Sequence, residues 1–523
     1  MSVHSSTKDL PNFDHSFLDL LNQGFETFPD SVCCQSGSQV LTYAEVDTLS
    51  AKIANQLVQS GFEVGFKGAI YSLNSVETLI ATVGIIRAGG VWVPINPRNS
   101  LKDNLGVLER FEVSALFYQS AFIEAAQSID NGSRLIVALD NQATDHIFWR
   151  DWCADANTSA PTVELDGASL MSLPQTGGTT GSPKGVMLNH SCFNANAYNS
   201  AQLNPRTEQV WLCAAPMTHV GGRIALCVMP RGARLVIMER VDLDLVLELI
   251  QQEKVTDLFL PPTAIYTLLD HPRLDEYDLS SVKQLGYGSA PMNIERLKEA
   301  IQRLGPIMSG GYGQTECPMS ISSFRPDQHV ENGQIVSDQR LRSVGRETPV
   351  STVRIMGEDG ELVGPNVEGE IVIRGPTVAS GYYQDPEETA AIRRNDWHLT
   401  GDIGYLDDEG FLYICDRKKD MIITGGFNVY SVEVERVMAE FPGIKQAAVV
   451  GLPDEKWGEL VTAAVITDPG IPLSEAALLA HIKEHLGSVK TPKRLEVVDE
   501  LPLTPIGKVD KKALRKLLAL QSE

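Results

Sequence analysis

The chain has no Cys-x-x-Cys pair. Its eight cysteines, at positions 33, 34, 153, 192, 213, 227, 317 and 415, are scattered, which argues against a zinc site or a disulfide frame and for reduced thiols. It also lacks any uninterrupted apolar run of the roughly 18 residues needed to cross a membrane. The first 29 residues are polar, without the apolar stretch of a secretory signal. Basic side chains are in deficit, with 44 Lys and Arg against 67 Asp and Glu and a formal charge of −23. A nucleic-acid binder would show a basic face, so that class is excluded. No internal repeat or low-complexity segment is present. These absences leave an ordinary globular protein, expected in the cytoplasm and without an integral membrane segment.

At 523 residues the chain is long enough for two or more domains. The acidity is uneven: residues 416–523 hold 15 basic and 16 acidic side chains, so the excess lies in the first 415. A polyanionic substrate would have to be met by local basic groups, since the net field opposes it. Through the first 400 residues, short apolar runs (Leu235–Met238, Leu258–Leu260, Ile371–Ile373) alternate with helical periodicity. Ile294, Leu297, Ile301 and Leu304 share one face, with Gly305 as a stop. That pattern predicts an α/β class. The charge-dense Asp416-Arg-Lys-Lys-Asp420 follows the strand-like Phe411–Cys415 and marks a boundary. After it, Val449–Gly451 and Val461–Ile466 read as strands, and Leu478, Ile482 and Leu486 as a helix face. The expectation is a large N-terminal α/β domain, 1–415, and a small α+β domain, 416–523.

Five motifs carry chemistry. The first runs from Gln175 to Val186. Gly177, Gly178 and Gly181 free the backbone to aim amide groups at an anion, Thr176, Thr179, Thr180 and Ser182 add hydroxyls, and Lys184 adds a mobile cation. Pro183 before that lysine and Gly185 after it break the Walker pattern. The second, Gly310-Gly311-Tyr312-Gly313-Gln314-Thr315-Glu316, sets an aromatic ring beside flexible backbone. Its carboxylate is suited to Mg²⁺ held largely by phosphates. The third, Trp397-His-Leu-Thr-Gly-Asp402, offers an acceptor for vicinal hydroxyls. The fourth is Asp416–Asp420, and the fifth, Pro502-Leu-Thr-Pro-Ile-Gly-Lys508, places a lysine in a Pro/Gly turn.

In this order the motifs resemble the adenylate-forming (AMP-binding) superfamily, of the acyl- and aryl-CoA synthetase type. The likeness runs from Leu41-Thr-Tyr-Ala-Glu45 to Lys512, through Gly288-Ser-Ala-Pro291, Gly369–Gly375, Gly381-Tyr-Tyr-Gln-Asp-Pro386 and Pro453–Glu459. The resemblance implies a mobile C-terminal domain and an ATP-dependent, two-step acid–CoA ligase. An acyl-adenylate forms with loss of pyrophosphate, and then the coenzyme A thiol displaces AMP. It further implies that Thr176 to Thr180 and Lys184 hold the β/γ phosphates. Gly288, Ser289, Ala290, Pro291 and Tyr312, with Gly311, Gly313 and Thr315, frame the nucleotide. Asp402 and Arg417 take the ribose, Glu316 the magnesium, and Lys508 the attacking carboxylate and α-phosphate. Lys419 matches the hinge. Gly425, Gly426 and Phe427 match the pantetheine approach, although Gly425–Gly426 reads equally well as a hairpin turn.

His219, Gly222, Tyr287 and Gly310 match the acid-binding positions. No acidic residue lies between Met217 and Arg223, so amino-acid activation is disfavoured. Thr218 stands where the family commonly has an aromatic, the span from His219 to Arg231 is about two residues short, and Ser431 replaces a usual proline. Phe193, Tyr198, Tyr287 and Met319 are candidates for apolar lining or core. Arg223 could read a second carboxylate or a polar tail, but is expected to close a surface turn. The preferred acid reads as mainly apolar, medium-chain or ring-bearing. Rival readings are a loader of a carrier-protein phosphopantetheine, a luciferase-like oxygenase and a silent binding protein. A homodimer is compatible with the sequence and not specified by it.

Overall fold

The computed structural model describes residues 10–130, 132–140, 145–176, 183–468, 470–471, 473–504 and 509–520. The chain divides into two compact units, Met1–Val353 with Ile373–His398, and Arg354–Val372 with Leu399–Glu523. It is mixed α/β, as the alternating pattern predicts.

The first unit is built on two large sheets. In the nine-stranded sheet, Val32–Ser36, Arg234–Ile237, Val210–Cys213, Asp257–Phe259, Gln284–Gly286 and Met308–Gln314 run parallel. Cys317–Phe324 turns back antiparallel on the last of these. The seven-stranded sheet has a parallel centre of Val91–Pro94, Lys67–Tyr71, Ala115–Tyr118 and Leu135–Ala138. Parallel strands covered on both faces read as apolar runs, which is why Leu235–Met238 and Leu258–Leu260 were legible to within one residue.

Helix Val76–Arg87 packs against strands of both sheets and is buried at every residue except Glu77. Its sequence is accordingly apolar on all sides. Helix Tyr43–Gln59 lies against it and starts with a reciprocal cap. Thr42 Oγ1 accepts from Glu45 N–H, and Glu45 accepts from Thr42 N–H; such a cap contributes about 1 kcal/mol. This is the physical content of Leu41-Thr-Tyr-Ala-Glu45. Helix Ile294–Leu304 ends at Gly305 with φ +85°, the left-handed stop that glycine supplies.

In the second unit, Ile444–Asp454 and Gly458–Thr467 form a long antiparallel pair. Helix Glu475–Lys490 buries Leu478 and Ile482 against it, with Leu486 partly covered. Among the described residues no helix is long and apolar enough to cross a membrane.

Candidate active site

In the first unit the glycine-rich stretch is held at its ends. Gln175–Thr176 and Lys184–Gly185 pair antiparallel, with Lys184 opposite Thr176. Gly177, Gly178, Thr179, Thr180, Gly181 and Ser182 lie outside the described residues. So does Lys508.

Lys184 is buried, 8% exposed. Its Nζ lies 2.7 Å from Glu388 Oε2 and 5.0 Å above the Tyr382 ring. The Tyr382 hydroxyl in turn donates to Glu316 Oε1 at 2.7 Å. Two motifs 132 positions apart in the chain thus meet through a third. The segment 380–383 is fixed against 185–187 by backbone bonds, Tyr383 N–H to Gly185 O at 2.8 Å and Met187 N–H to Gly381 O at 2.9 Å. Burial and the Glu316 carboxylate both push the Tyr382 phenol well above its usual range, so it stays a donor. Neither Tyr382 nor Glu388 was assigned a role from sequence, although Gly381-Tyr-Tyr-Gln-Asp-Pro386 was recognised. Only the strand pairing reveals that they face Lys184.

Glu316 sits at the tip of a two-residue hairpin. Gln314 pairs with Cys317, leaving Thr315 and Glu316 as the turn. Close backbone explains the glycines of this motif. A Cβ at Gly311 would come within 2.8 Å of Ser322 O, and one at Gly313 within 2.7 Å of Met319 N. Tyr312 accepts from Gln314 Nε2 at 3.1 Å. The donor set suits magnesium that arrives with a nucleotide. One Glu316 oxygen is taken by Tyr382, and no group of three or more His, Cys, Asp or Glu side chains is gathered among the described residues. A single protein carboxylate on a phosphate-held Mg²⁺ needs no more.

Gly288 to Pro291 follow the strand Gln284–Gly286. Ser289 adopts φ +66°, a left-handed backbone that a non-glycine residue takes at some cost and that clusters at binding sites. Ser289 and Ala290 are exposed, and Thr315 is half-buried.

The acid-binding candidates separate. Tyr287 packs over Gly310, where a Cβ would lie 2.6 Å from its ring. Its hydroxyl lies 2.9 Å from His329 Nε2, and His329 Nδ1 lies 2.8 Å from Arg325 O. A carbonyl only accepts, so Nδ1 carries the proton and Tyr287 donates to Nε2. Burial pushes the His329 imidazole down to about 4. Phe193 and Tyr198 belong to aromatic pairs with Phe17 (5.6 Å) and Phe13 (5.8 Å), packing rather than display. His219 is exposed at the start of helix Val220–Val228. Gly222 serves that helix start, since a Cβ would lie 2.0 Å from Met217 O. Arg223, expected in a surface turn, is instead inside the helix and 7% exposed. The start of the helix turns it inward.

In the second unit Asp402 and Arg417 are directly opposite on antiparallel strands, with Arg417 Nε 3.5 Å from Asp402 Oδ1. Asp402 is 5% exposed, whereas Arg417 is largely open to solvent. Gly425 and Gly426 have φ +57° and +81°, and Thr424 pairs with Phe427. The pair forms a two-residue hairpin turn that needs positive φ at both positions. Phe427 is exposed beside it, and Lys419 is exposed next to the charged strand end.

The chain matches the AMP-binding enzyme model over residues 21–383 and the AMP-binding enzyme C-terminal domain over 433–508. It is 37% identical, over 87% of its length and 82% of the relative's, to the medium/long-chain-fatty-acid–CoA ligase FadD8 of Mycobacterium tuberculosis. It is 33% identical to a feruloyl-CoA synthase of Amycolatopsis, covering 93% of this chain and 96% of that one. Among solved structures, ATP-bound MatB from Rhodopseudomonas palustris aligns with a TM-score of 0.86 at 28% identity, covering 96% of this chain and 99% of that one. The amide bond synthetase McbA from Marinactinospora thermotolerans aligns with a TM-score of 0.87 at 28% identity, over the same shares. Five ordered motifs in the sequence and these likenesses agree: the chain belongs to the AMP-binding, adenylate-forming enzyme superfamily and is an AMP-forming acyl-CoA synthetase.

Proposed function

We propose that this enzyme activates a mainly apolar carboxylic acid, medium-chain or ring-bearing, and passes the acyl group to the thiol of coenzyme A. The relatives include ligases for fatty, feruloyl and indoleacetic acids, so an apolar body with one activated carboxyl is the shared chemistry. The observation that carries the reading is the chain Glu388–Lys184–Tyr382–Glu316 beside the paired ends of the glycine-rich stretch. It supports the reading because it joins one cation to one carboxylate of the kind that binds magnesium, the two charges a triphosphate calls for.

The acid's carboxylate oxygen attacks the α-phosphorus of ATP, and the bond to the bridging oxygen breaks, releasing pyrophosphate. The thiolate of coenzyme A then attacks the acyl carbon, and AMP leaves with the C–O bond electrons. The protein positions groups and neutralises charge. Lys184, exchanging Glu388 for phosphate, and Thr176 with the loop that follows it would hold the β and γ phosphates. Glu316 would present its remaining oxygen to Mg²⁺, which lowers the charge on the phosphates. Asp402 would accept from the ribose hydroxyls, with Arg417 beside it. Lys508 would bridge carboxylate and α-phosphate, and rotation of residues 416–523 about Lys419 would withdraw it before the thiol step. His219 would border acid and thiol, and Gly425 to Phe427 would flank the pantetheine arm.

Pyrophosphate release and thioester formation, measured across a panel of acids with and without coenzyme A, test the reading. The expected result is AMP and acyl-CoA in equal amounts. Adenylate formation with no turnover of coenzyme A would point to another acceptor, such as a carrier-protein thiol.

A further inference from the structure

Helix Val220–Val228 holds a buried cation that forms no ion pair among the described residues. Arg223 is 7% exposed, and its Nε is shut from solvent with no hydrogen-bond partner. Among the described residues no side chain or carbonyl forms a hydrogen bond or ion pair with its guanidinium. The contrast is Arg87, 3% exposed, whose Nε is likewise unpartnered but whose terminal nitrogens are met by Asp47, Ser50 and Asn22, with the guanidinium 4.7 Å from the Phe25 ring. Burying a guanidinium without partners is unfavourable, and such groups in native proteins are nearly always matched.

Arg223 cannot readily leave. The two residues before it are glycines closed on the preceding loop, with a Cβ at Gly221 falling 2.3 Å from Ala215 O and one at Gly222 falling 2.0 Å from Met217 O. Ala225, Leu226, Cys227 and Val228 after it are all buried. The side chain is therefore fixed on the inside of the unit, four residues after His219. Among the described residues, the carboxylate whose charge bears on it is Glu316, which is already bonded to Tyr382. Burial lowers the Arg223 guanidinium to about 10, so it is still cationic at neutral pH.

We propose that Arg223 is a specificity-determining residue whose unmet donors receive an oxygen acceptor on the acyl portion of the acid. Resting on the acid–CoA ligase reading, this narrows the substrate class. The preferred acids carry a second oxygen function, a ring or chain carbonyl or a second carboxylate, on an otherwise apolar body. A guanidinium fork suits either, and a site built to bond an oxygen discriminates against the analogue that lacks it.

The test is kcat/KM for acyl-CoA formation on matched acids: octanoic, 7-oxooctanoic and octanedioic acid, and cyclohexanepropanoic acid with its 4-oxo derivative. Wild-type enzyme is expected to favour at least one oxygen-bearing member over its plain match by about 10- to 100-fold. The keto and dicarboxylate arms tell which oxygen is read. Arg223→Met is expected to erase that preference while leaving KM for ATP within about twofold, and Arg223→Lys to keep part of it. Should Arg223→Met fail to fold, the partial loss in Arg223→Lys carries the same comparison. A wild-type preference for the plain acids overturns the proposal. So does an Arg223→Met enzyme that loses ATP affinity equally with every acid, which would make Arg223 a charge balance for Glu316. Absence of thioester from every acid would instead overturn the ligase reading.

Discussion

Asp416 grips Ser431 twice: the Ser431 backbone N–H and its hydroxyl, the latter at 2.7 Å, both donate to Asp416 Oδ2. The same hydroxyl receives Lys511 Nζ at 2.5 Å, and Lys511 is paired with Glu435 at 2.8 Å. Ser431 is the residue that stands where the family usually has proline. A proline has no N–H, so the bond to Asp416 is available to this chain and not to a proline-bearing one.

Asp416 and Ser431 lie on opposite sides of Lys419 in the sequence, so their bond ties the charged strand end to helix Ser431–Ala439. Ser431→Pro is expected to lower stability by about 1–2 kcal/mol, although proline is well suited to a first helical turn. Asp416→Ala is expected to cost about 2–3 kcal/mol, because it orphans two buried donors. Urea unfolding of both single variants and the double variant should show strongly less-than-additive losses. Additive losses would mean the two residues are not coupled.

Tyr382→Phe isolates one contact in the first unit. The ring beneath Lys184 is retained, but the hydroxyl on Glu316 is lost. The expected result is a higher Mg²⁺ requirement and kcat/KM for ATP lowered about 10- to 100-fold, as loss of one hydrogen bond to a charged group implies. Acid selectivity should not move. Unchanged magnesium dependence would remove Tyr382 from the metal side of the site.

Much of the fold was legible because its signals are local. Ile294, Leu297, Ile301 and Leu304 needed only helical spacing, and Gly305 only its tolerance of positive φ. The Gly-Gly turn at 425–426 is local too, although the sequence left it open beside a pantetheine approach. The Glu316 hairpin was not foreseen, because a Thr-Glu turn lacks the Asn-Gly or Asp-Gly signature of tight hairpins. Tyr382 and Glu388 were missed as site residues because their role depends on pairing with residues some 200 positions earlier. Arg223 ran against the ordinary expectation that arginine is exposed. Its place inside the fold follows from the packing of Gly221 and Gly222 on carbonyls, which no periodicity announces.

Lys508→Ala separates the half-reactions. Removing a charge-bearing transition-state contact of this kind costs about 2.7–4 kcal/mol, or 10²- to 10³-fold in rate. Acid-dependent pyrophosphate exchange should fall by that factor, while thioester formation from a supplied acyl-adenylate should fall less than about threefold. Equal loss in both steps would contradict alternation of the C-terminal residues.

Acid stability should reflect three buried histidines. His190, His329 and His398 are each held down to about 4, with burial the largest cause. Each has a partly different reason to stay neutral. His190 Nδ1 accepts from Phe17 N–H at 3.0 Å, His329 Nε2 accepts from Tyr287, and both His398 nitrogens are enclosed without partners. In the unfolded chain the same rings titrate near 6.5. The folded state therefore binds fewer protons between those values, and its stability is fully present above about pH 6.5 and falls as pH drops toward 4. Each ring contributes on the order of 2–3 kcal/mol to that loss. Urea midpoints at pH 7.5, 6, 5 and 4.5 should decline steeply below 6.5, and His329→Gln should flatten the decline by about one third. A midpoint constant from pH 7.5 to 5 would mean that these rings are protonated in the folded enzyme.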